Sequence, residues 1–205
     1  MREFLFDEAT HTYTLDGQKI PRVTEILAPI TAGKYPPSGV VQQAAARGTR
    51  IHELCALYDM DALPEEFEGE LVPYVQAWAD FCRDWSPEWL YIEQPLYAQD
   101  TESRYAAGTV DRIGVIDGAH IVVDIKTAQN MDRPAKIALC CQLYGYSWLA
   151  DNNLIHIDGL GLGVQLMKDG TYRLQWQAEI QKKYGFASCE LFWPLRRMHH
   201  IVKGY

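Results

Sequence analysis

The stretch "VDRIGVIDGAHIVVDIKT" (residues 110–127) decides the fold of this chain, because it encodes two strands and the turn that joins them. Asp117 and Gly118 tolerate the positive φ angles that both central residues of a tight hairpin turn require. If these two residues form the whole loop, the strand register places Asp111 directly opposite Asp124. The sequence therefore predicts an antiparallel hairpin on which two carboxylates face each other.

Facing carboxylates repel each other unless positive charge lies between them, and a divalent cation with oxygen ligands meets that need. Lys126 shares the strand face of Asp124 because residues two positions apart point the same way. Ile125 points to the opposite face, and its backbone carbonyl is a further candidate ligand. Each acid alone is better explained as an ordinary turn or strand-end residue. The cross-strand pair favours a metal site, and a metal beside a lysine suits phosphodiester cleavage.

Five short motifs in order along the chain resemble the PD-(D/E)XK nuclease superfamily, in its RecB-like branch of phage-type and mitochondrial single-strand exonucleases. They are "HTYTLDGQKIPRVTEIL" (11–27), "GTRIHE" (48–53), "GTVDRIG" (108–114), "VVDIKT" (122–127) and "QLYGY" (142–146). The resemblance implies a restriction-endonuclease-like core and spans roughly residues 11–150.

The resemblance assigns roles to the hairpin residues. Asp111 and Asp124 would bind Mg²⁺ together with the Ile125 carbonyl, and Mn²⁺ would be a working substitute. Lys126 would be the catalytic lysine.

Residues outside the hairpin also receive roles from the resemblance. His52 would approach the metal from its helix, as a ligand or a phosphate contact. Glu93 would help to hold a second metal or its waters, with Glu102 as the alternative acid. Gln142 and Tyr146, which share a helix face, would orient Lys126; packing of Tyr146 in the core is the alternative explanation.

Arg47 and Arg50 flank Gly48 and are candidate contacts to DNA phosphates, although solvated helix arginines explain them equally well. Gly48 lowers helix stability by about 1 kcal/mol relative to alanine, which a close approach to backbone or phosphate would justify; a kink without function is the alternative. The Tyr35-Pro36-Pro37 loop is either a stacking platform for an unpaired base or an ordinary rigid loop. The net charge of −8 argues mildly against nucleic acid, but a local basic surface is compatible with an acidic total.

The cysteine content indicates a reducing compartment. There are five cysteines and no C-x-x-C pair, which is typical of free thiols in a cytosol-like environment. Only Cys189 lies near the end of the chain, so no iron–sulfur cluster is expected. No apolar run reaches the roughly 18 residues of a membrane span, and no signal-peptide pattern opens the chain. We expect a cytoplasmic protein that does not contact membranes.

The length of 205 residues predicts one domain of mixed α/β class, with a mixed central β-sheet flanked by helices. An N-terminal hairpin and short helix (1–30) precede the catalytic core (40–152). The last part (153–205) is predicted to be a hairpin, "HIDGLGLGVQLM" and "TYRLQWQAEI", followed by one helix.

The expected function is that of a Mg²⁺-dependent DNA exonuclease in phage or bacterial recombination or repair. Its expected partners are DNA and a recombination or single-strand-binding protein. One alternative is a non-catalytic DNA- or protein-binding module that retains the nuclease fold. Another is a restriction-type endonuclease, for which the sequence offers no visible recognition element.

Overall fold

The structure, a computed structural model, describes residues 2–32 and 38–204. The Tyr35-Pro36-Pro37 loop, which the sequence predicts to be either a stacking platform or an ordinary rigid loop, lies outside the described residues.

The described chain forms eight strands and six helices. In chain order these are β1 (Phe4–Asp7), β2 (Thr12–Leu15), β3 (Gln18–Ile20), α1 (Val23–Thr31), α2 (Ser38–Asp59), α3 (Val72–Trp85), β4 (Glu88–Gln99), β5 (Tyr105–Ile116), β6 (Ala119–Lys126), α4 (Arg133–Asn152), β7 (Leu160–Leu166), β8 (Tyr172–Trp176), α5 (Gln177–Tyr184) and α6 (Ser188–Lys203). A short 3₁₀ turn at Gly69–Leu71 precedes α3.

The central sheet has five strands in the order β4-β5-β6-β7-β8. Its pairs are antiparallel except for β6 and β7, which run parallel. Parallel neighbours need a crossover connection, and α4 provides it. A separate sheet of β1, β2 and β3 precedes this core. The prediction of a mixed α/β fold with a central sheet flanked by helices is therefore confirmed.

Helices cover both faces of the central sheet, which explains the unbroken apolar run Ile121–Val123 in β6. Val122 packs on one face with residues of α1, α4 and α6, including Leu143. Ile121 and Val123 pack on the other face with residues of α2 and α3, including Trp78. Because Asp124 and Lys126 continue the Val122 face, they point toward the α4 side.

The hairpin at Asp117 and Gly118 has the predicted two-residue turn, with φ angles of 51° and 78°. The β5–β6 register runs from Ile116–Ala119 inward to Arg112–Val123, as predicted. The predicted register is confirmed over these pairs.

The C-terminal part contains one more helix than predicted. The strand expected over 171–180 ends at Trp176, and α5 follows at once. Gln177 and Ile180 are buried three residues apart, and Gly185 ends α5 with a φ of 67°. These are helix signals that the strand prediction overlooked. None of the helices in the described part of the chain has the length and apolar character that a membrane span requires.

Candidate metal centre

Three side chains from three elements converge beside the end of the β5–β6 pairing. His52 of α2, Glu93 of β4 and Asp111 of β5 each offer a ligand atom, and these atoms lie within 4.8 Å of one another. One imidazole nitrogen and two carboxylate oxygens are suitable ligands for Mn²⁺, and the two carboxylates suit Mg²⁺. The residues therefore fit a divalent cation.

Asp111 is the central member of this group. Its side chain is buried, and Oδ2 accepts a hydrogen bond from the Ile125 backbone N–H at 2.7 Å. The regular β5–β6 backbone pairing ends at Arg112–Val123. Just beyond it, the Asp111 carboxylate accepts the Ile125 N–H in place of a backbone carbonyl. Burial opposes ionisation of Asp111, but His52, the Lys126 charge and the Ile125 N–H together outweigh burial, and the pKa of Asp111 lies below its usual value. Asp111 is thus held as an anion facing the cluster.

Glu93 adopts an unusual backbone conformation for a residue within a strand. Its φ angle is 49°, between the paired positions Ile92–Arg112 and Gln94–Val110. A positive φ in a non-glycine residue costs roughly 1–3 kcal/mol, and such strain is concentrated at functional sites. Burial, reinforced by the Asp111 charge, raises the pKa of Glu93 to about 7. Glu93 therefore has a strained backbone, and its ionised form is disfavoured by burial and by the Asp111 charge.

His52 lies on α2 with Nδ1 3.4 Å from Oδ2 of Asp111. Burial disfavours the imidazolium, but the carboxylates of Asp111, Glu93 and Asp124 together outweigh burial and raise the pKa of His52. His52 thus lies beside Asp111, and its role as a metal ligand or phosphate contact stays a prediction.

Asp124 and Lys126 form a second group that continues onto α4. Lys126 Nζ lies 2.6 Å from Asp124 Oδ2 and donates to Gln142 Oε1 at 3.0 Å. Gln142 Nε2 in turn donates to the Tyr146 hydroxyl at 3.0 Å. Gln142 and Tyr146, to which the resemblance gives the role of orienting the lysine, therefore form a hydrogen-bonded chain that ends on Lys126. Tyr146 is also part of the core.

The two groups share one electrostatic environment. Burial raises the pKa of Asp124 to about 6, Lys126 opposes this shift, and the Asp111 charge adds to it. Asp111 is grouped with His52 and Glu93, whereas Asp124 is ion-paired with Lys126. A single cation bridging Asp111 and Asp124 remains a prediction, as does a ligand role for the Ile125 carbonyl.

The other predicted site residues are ion-paired outside the cluster or exposed. Glu102 pairs with Arg104 at 3.0 Å, so Glu93 is the acid that joins the cluster. Arg50 is engaged by Glu53 at 2.9 Å and by Glu68 at 3.1 Å. Arg47 is exposed on α2.

Two charged residues beneath the cluster were missed by sequence reasoning. Arg112 is fully buried. Its Nη1 donates to Glu93 at 3.0 Å, and its Nε donates to Asp59 at 2.6 Å. Asp59 follows His52 by seven positions on α2, which places both on one helix face. A signal was present in the sequence: Arg112 interrupts an apolar strand next to Asp111.

Comparisons with known proteins do not identify a family. No protein-family model and no curated protein matches the chain. One solved structure with a similar chain path is described as "Crystal structure of SSO0001". It shares 14% identity over 80% of this chain and 81% of that chain, with a TM-score of 0.33. A likeness of this size carries no argument about function.

Proposed function

We propose that this protein is a metal-dependent deoxyribonuclease that hydrolyses phosphodiester bonds in DNA. The observation that carries the proposal is the position of Lys126 beside a cation-binding group. The group of His52, Glu93 and Asp111 fits a divalent cation. Asp124 is ion-paired with Lys126, and the nearby Asp111 charge helps to raise the pKa of Asp124.

The protein groups are suited to phosphodiester hydrolysis. A divalent cation would supply polarisation of a phosphoryl oxygen and a lowered pKa for a bound water. Lys126 keeps its ammonium beside the site because Asp124 and Gln142 hold it at 2.6 and 3.0 Å. An ammonium in this position can orient the attacking water or offset negative charge that develops on the phosphate.

We infer an exonuclease that uses Mg²⁺, with Mn²⁺ as a substitute, in phage or bacterial recombination or repair. This finer assignment rests on the resemblance to RecB-like motifs. It is supported by the contact of His52 with Asp111 and by the hydrogen bonds of Gln142 with Lys126 and Tyr146. The proposal places the protein in the cytoplasm, in keeping with five cysteines that are all free thiols. DNA is the proposed partner, alongside a recombination or single-strand-binding protein.

The proposal is tested by digestion of end-labelled linear and circular DNA, single- and double-stranded, with Mg²⁺ or with EDTA. We expect Mg²⁺-dependent shortening of linear DNA that Asp124→Ala and Lys126→Ala both abolish. Lys168→Ala is the matched control, because Lys168 is exposed on the β7–β8 turn. Equal activity in EDTA, or activity that survives both changes, would refute the proposal. Specific Mn²⁺ binding without any cleavage would instead favour the non-catalytic module.

A further inference from the structure

Arg112 contacts all three elements that carry the metal-facing side chains. Its Nη1 donates to Glu93 Oε1 of β4 at 3.0 Å and to the backbone carbonyl of Asp111 in β5 at 2.5 Å. Its Nε donates to Asp59 Oδ2 at 2.6 Å, on the helix that also carries His52. One guanidinium therefore joins β4, β5 and α2 beneath the cluster.

The Asp59 end of this network is itself held firmly. The indole N–H of Trp78 donates to Asp59 Oδ1 at 2.9 Å, and the Arg112 guanidinium lies over the Trp78 ring at 5.4 Å. Asp59 and His52 are seven positions apart and share a face of α2. Fixing Asp59 on Arg112 therefore also fixes the position of His52 along the sheet.

Stability alone is a poor explanation for this arrangement. Arg112 has 0% exposure, and its Nη2 makes no hydrogen bond to any residue that the structure describes. Removing a charge from water is expensive, and buried ion pairs can often be replaced by apolar residues at little or no loss of stability. A planar guanidinium does, however, fix several acceptors in one geometry, which an apolar side chain cannot do.

We propose that Arg112, anchored by Asp59, is a positioning residue that holds Glu93, Asp111 and His52 at cation-binding distance. The inference rests on the proposed function, since it concerns the same metal centre. Partners behind metal ligands commonly change metal affinity by roughly 10- to 100-fold when they are removed. Arg112→Lys would keep the positive charge but lose the planar guanidinium that reaches several acceptors at once.

The chain offers a matched control for this test in Arg196. Like Arg112, it is buried, pairs with an aspartate (Asp100) and lies over a tryptophan ring, that of Trp148. Its partners, Asp100 and Arg104, both lie in the turn between β4 and β5. Arg196→Lys thus repeats the chemical change of Arg112→Lys without altering the contacts behind the cluster.

The test is calorimetric titration of Mn²⁺ into EDTA-treated protein at pH 8, with melting temperatures measured in parallel. We expect Arg112→Lys to weaken Mn²⁺ binding at least tenfold and Arg196→Lys to stay within twofold of the wild type. If Arg112→Lys fails to fold, Asp59→Asn is judged by the same criterion. Unchanged affinity in the Arg112 or Asp59 variant, or an equal loss in Arg196→Lys, would overturn the inference and leave the metal centre standing. A wild-type protein that binds no Mn²⁺ would overturn both.

Discussion

The Nδ1 atom of His52 lies 3.4 Å from the Oδ2 atom of Asp111, so a helix and a strand far apart in the sequence meet at one carboxylate. The same oxygen accepts the Ile125 N–H at 2.7 Å. Asp111 is therefore both the end point of the β5–β6 pairing and the central member of the candidate cation-binding group. Its replacement separates these two roles, because an amide can keep the hydrogen bond but not the charge.

Asp111→Asn should abolish Mn²⁺ binding while leaving the protein folded. The asparagine oxygen can still accept the Ile125 N–H, and loss of one charge relieves repulsion toward Glu93 and Asp124. A ligand at 100 times its Kd stabilises a protein by about 2.7 kcal/mol, so the wild type should melt at a higher temperature with Mn²⁺ and the variant should not. Asp117→Asn on the exposed turn is the control, since asparagine tolerates the φ of 51° there. A normal Mn²⁺ response in Asp111→Asn would contradict the assigned ligand set.

Gln142→Leu should lower kcat at least tenfold and leave the Kd for Mn²⁺ within twofold. Gln142 contacts Lys126 Nζ and the Tyr146 hydroxyl, and it is not among the grouped ligands. Its loss frees the lysine from one of the acceptors that direct it. Steady-state cleavage and calorimetry on the same preparations separate the two effects. Gln142→Glu keeps an acceptor for Lys126 and should retain more activity than the leucine variant; the reverse order would argue against this role.

The hairpin and the lysine face were predictable because short-range rules determine them. The turn at Asp117 and Gly118 sets the register, and alternation along β6 sets the common face of Asp124 and Lys126. Both depend only on neighbours in the sequence, so a single chain suffices to predict them.

Which side chains Asp111 and Asp124 each contact was not predictable from the same short-range rules. The turn predicts Asp111 opposite Asp124, whereas the observed pairing ends one position earlier, at Arg112–Val123. Side-chain torsions, burial and long-range partners decide which neighbour each carboxylate contacts. Asp111 is grouped with His52 and Glu93, while Asp124 is ion-paired with Lys126. The positive φ of Glu93 likewise has no sequence signal, because it arises where β4 fits against β5.

Gly108→Ala should reduce activity by displacing Tyr146. A Cβ atom at position 108 would lie 2.7 Å from Cε1 of the Tyr146 ring, closer than real Cβ contacts allow. Overpacking of this kind typically costs about 1–3 kcal/mol of unfolding free energy, and here it would also disturb the hydrogen bond from Gln142. Denaturant unfolding and cleavage assays measure the two losses.

Gly48→Ala is the matched comparison for Gly108→Ala. A Cβ at position 48 meets only Oγ1 of Thr127, at an ordinary 3.5 Å. We expect stability to be unchanged or to rise by up to about 1 kcal/mol, since alanine favours the helix. If its activity falls although stability does not, Gly48 admits the DNA backbone, as the sequence suggested. Equal destabilisation in both variants would show that the Tyr146 contact is not what restricts position 108.

The metal-free protein should become less stable as the pH rises from about 5 to 8, and Mn²⁺ should reverse this trend. Burial raises the pKa of Glu93 to about 7 and that of Asp124 to about 6, and Asp111 raises that of His52 against the effect of burial. A group with a raised pKa binds its proton more tightly in the folded state, so its contribution to stability is lost as the pH rises through that pKa. Protons and Mn²⁺ compete for the same atoms, so the Kd for Mn²⁺ should increase as the pH falls below about 7. Melting temperatures and calorimetric titrations from pH 5.5 to 8 test both trends. Glu93→Gln, which cannot titrate, should flatten the pH dependence of apo stability; an unchanged slope would show that Glu93 does not carry the shifted proton.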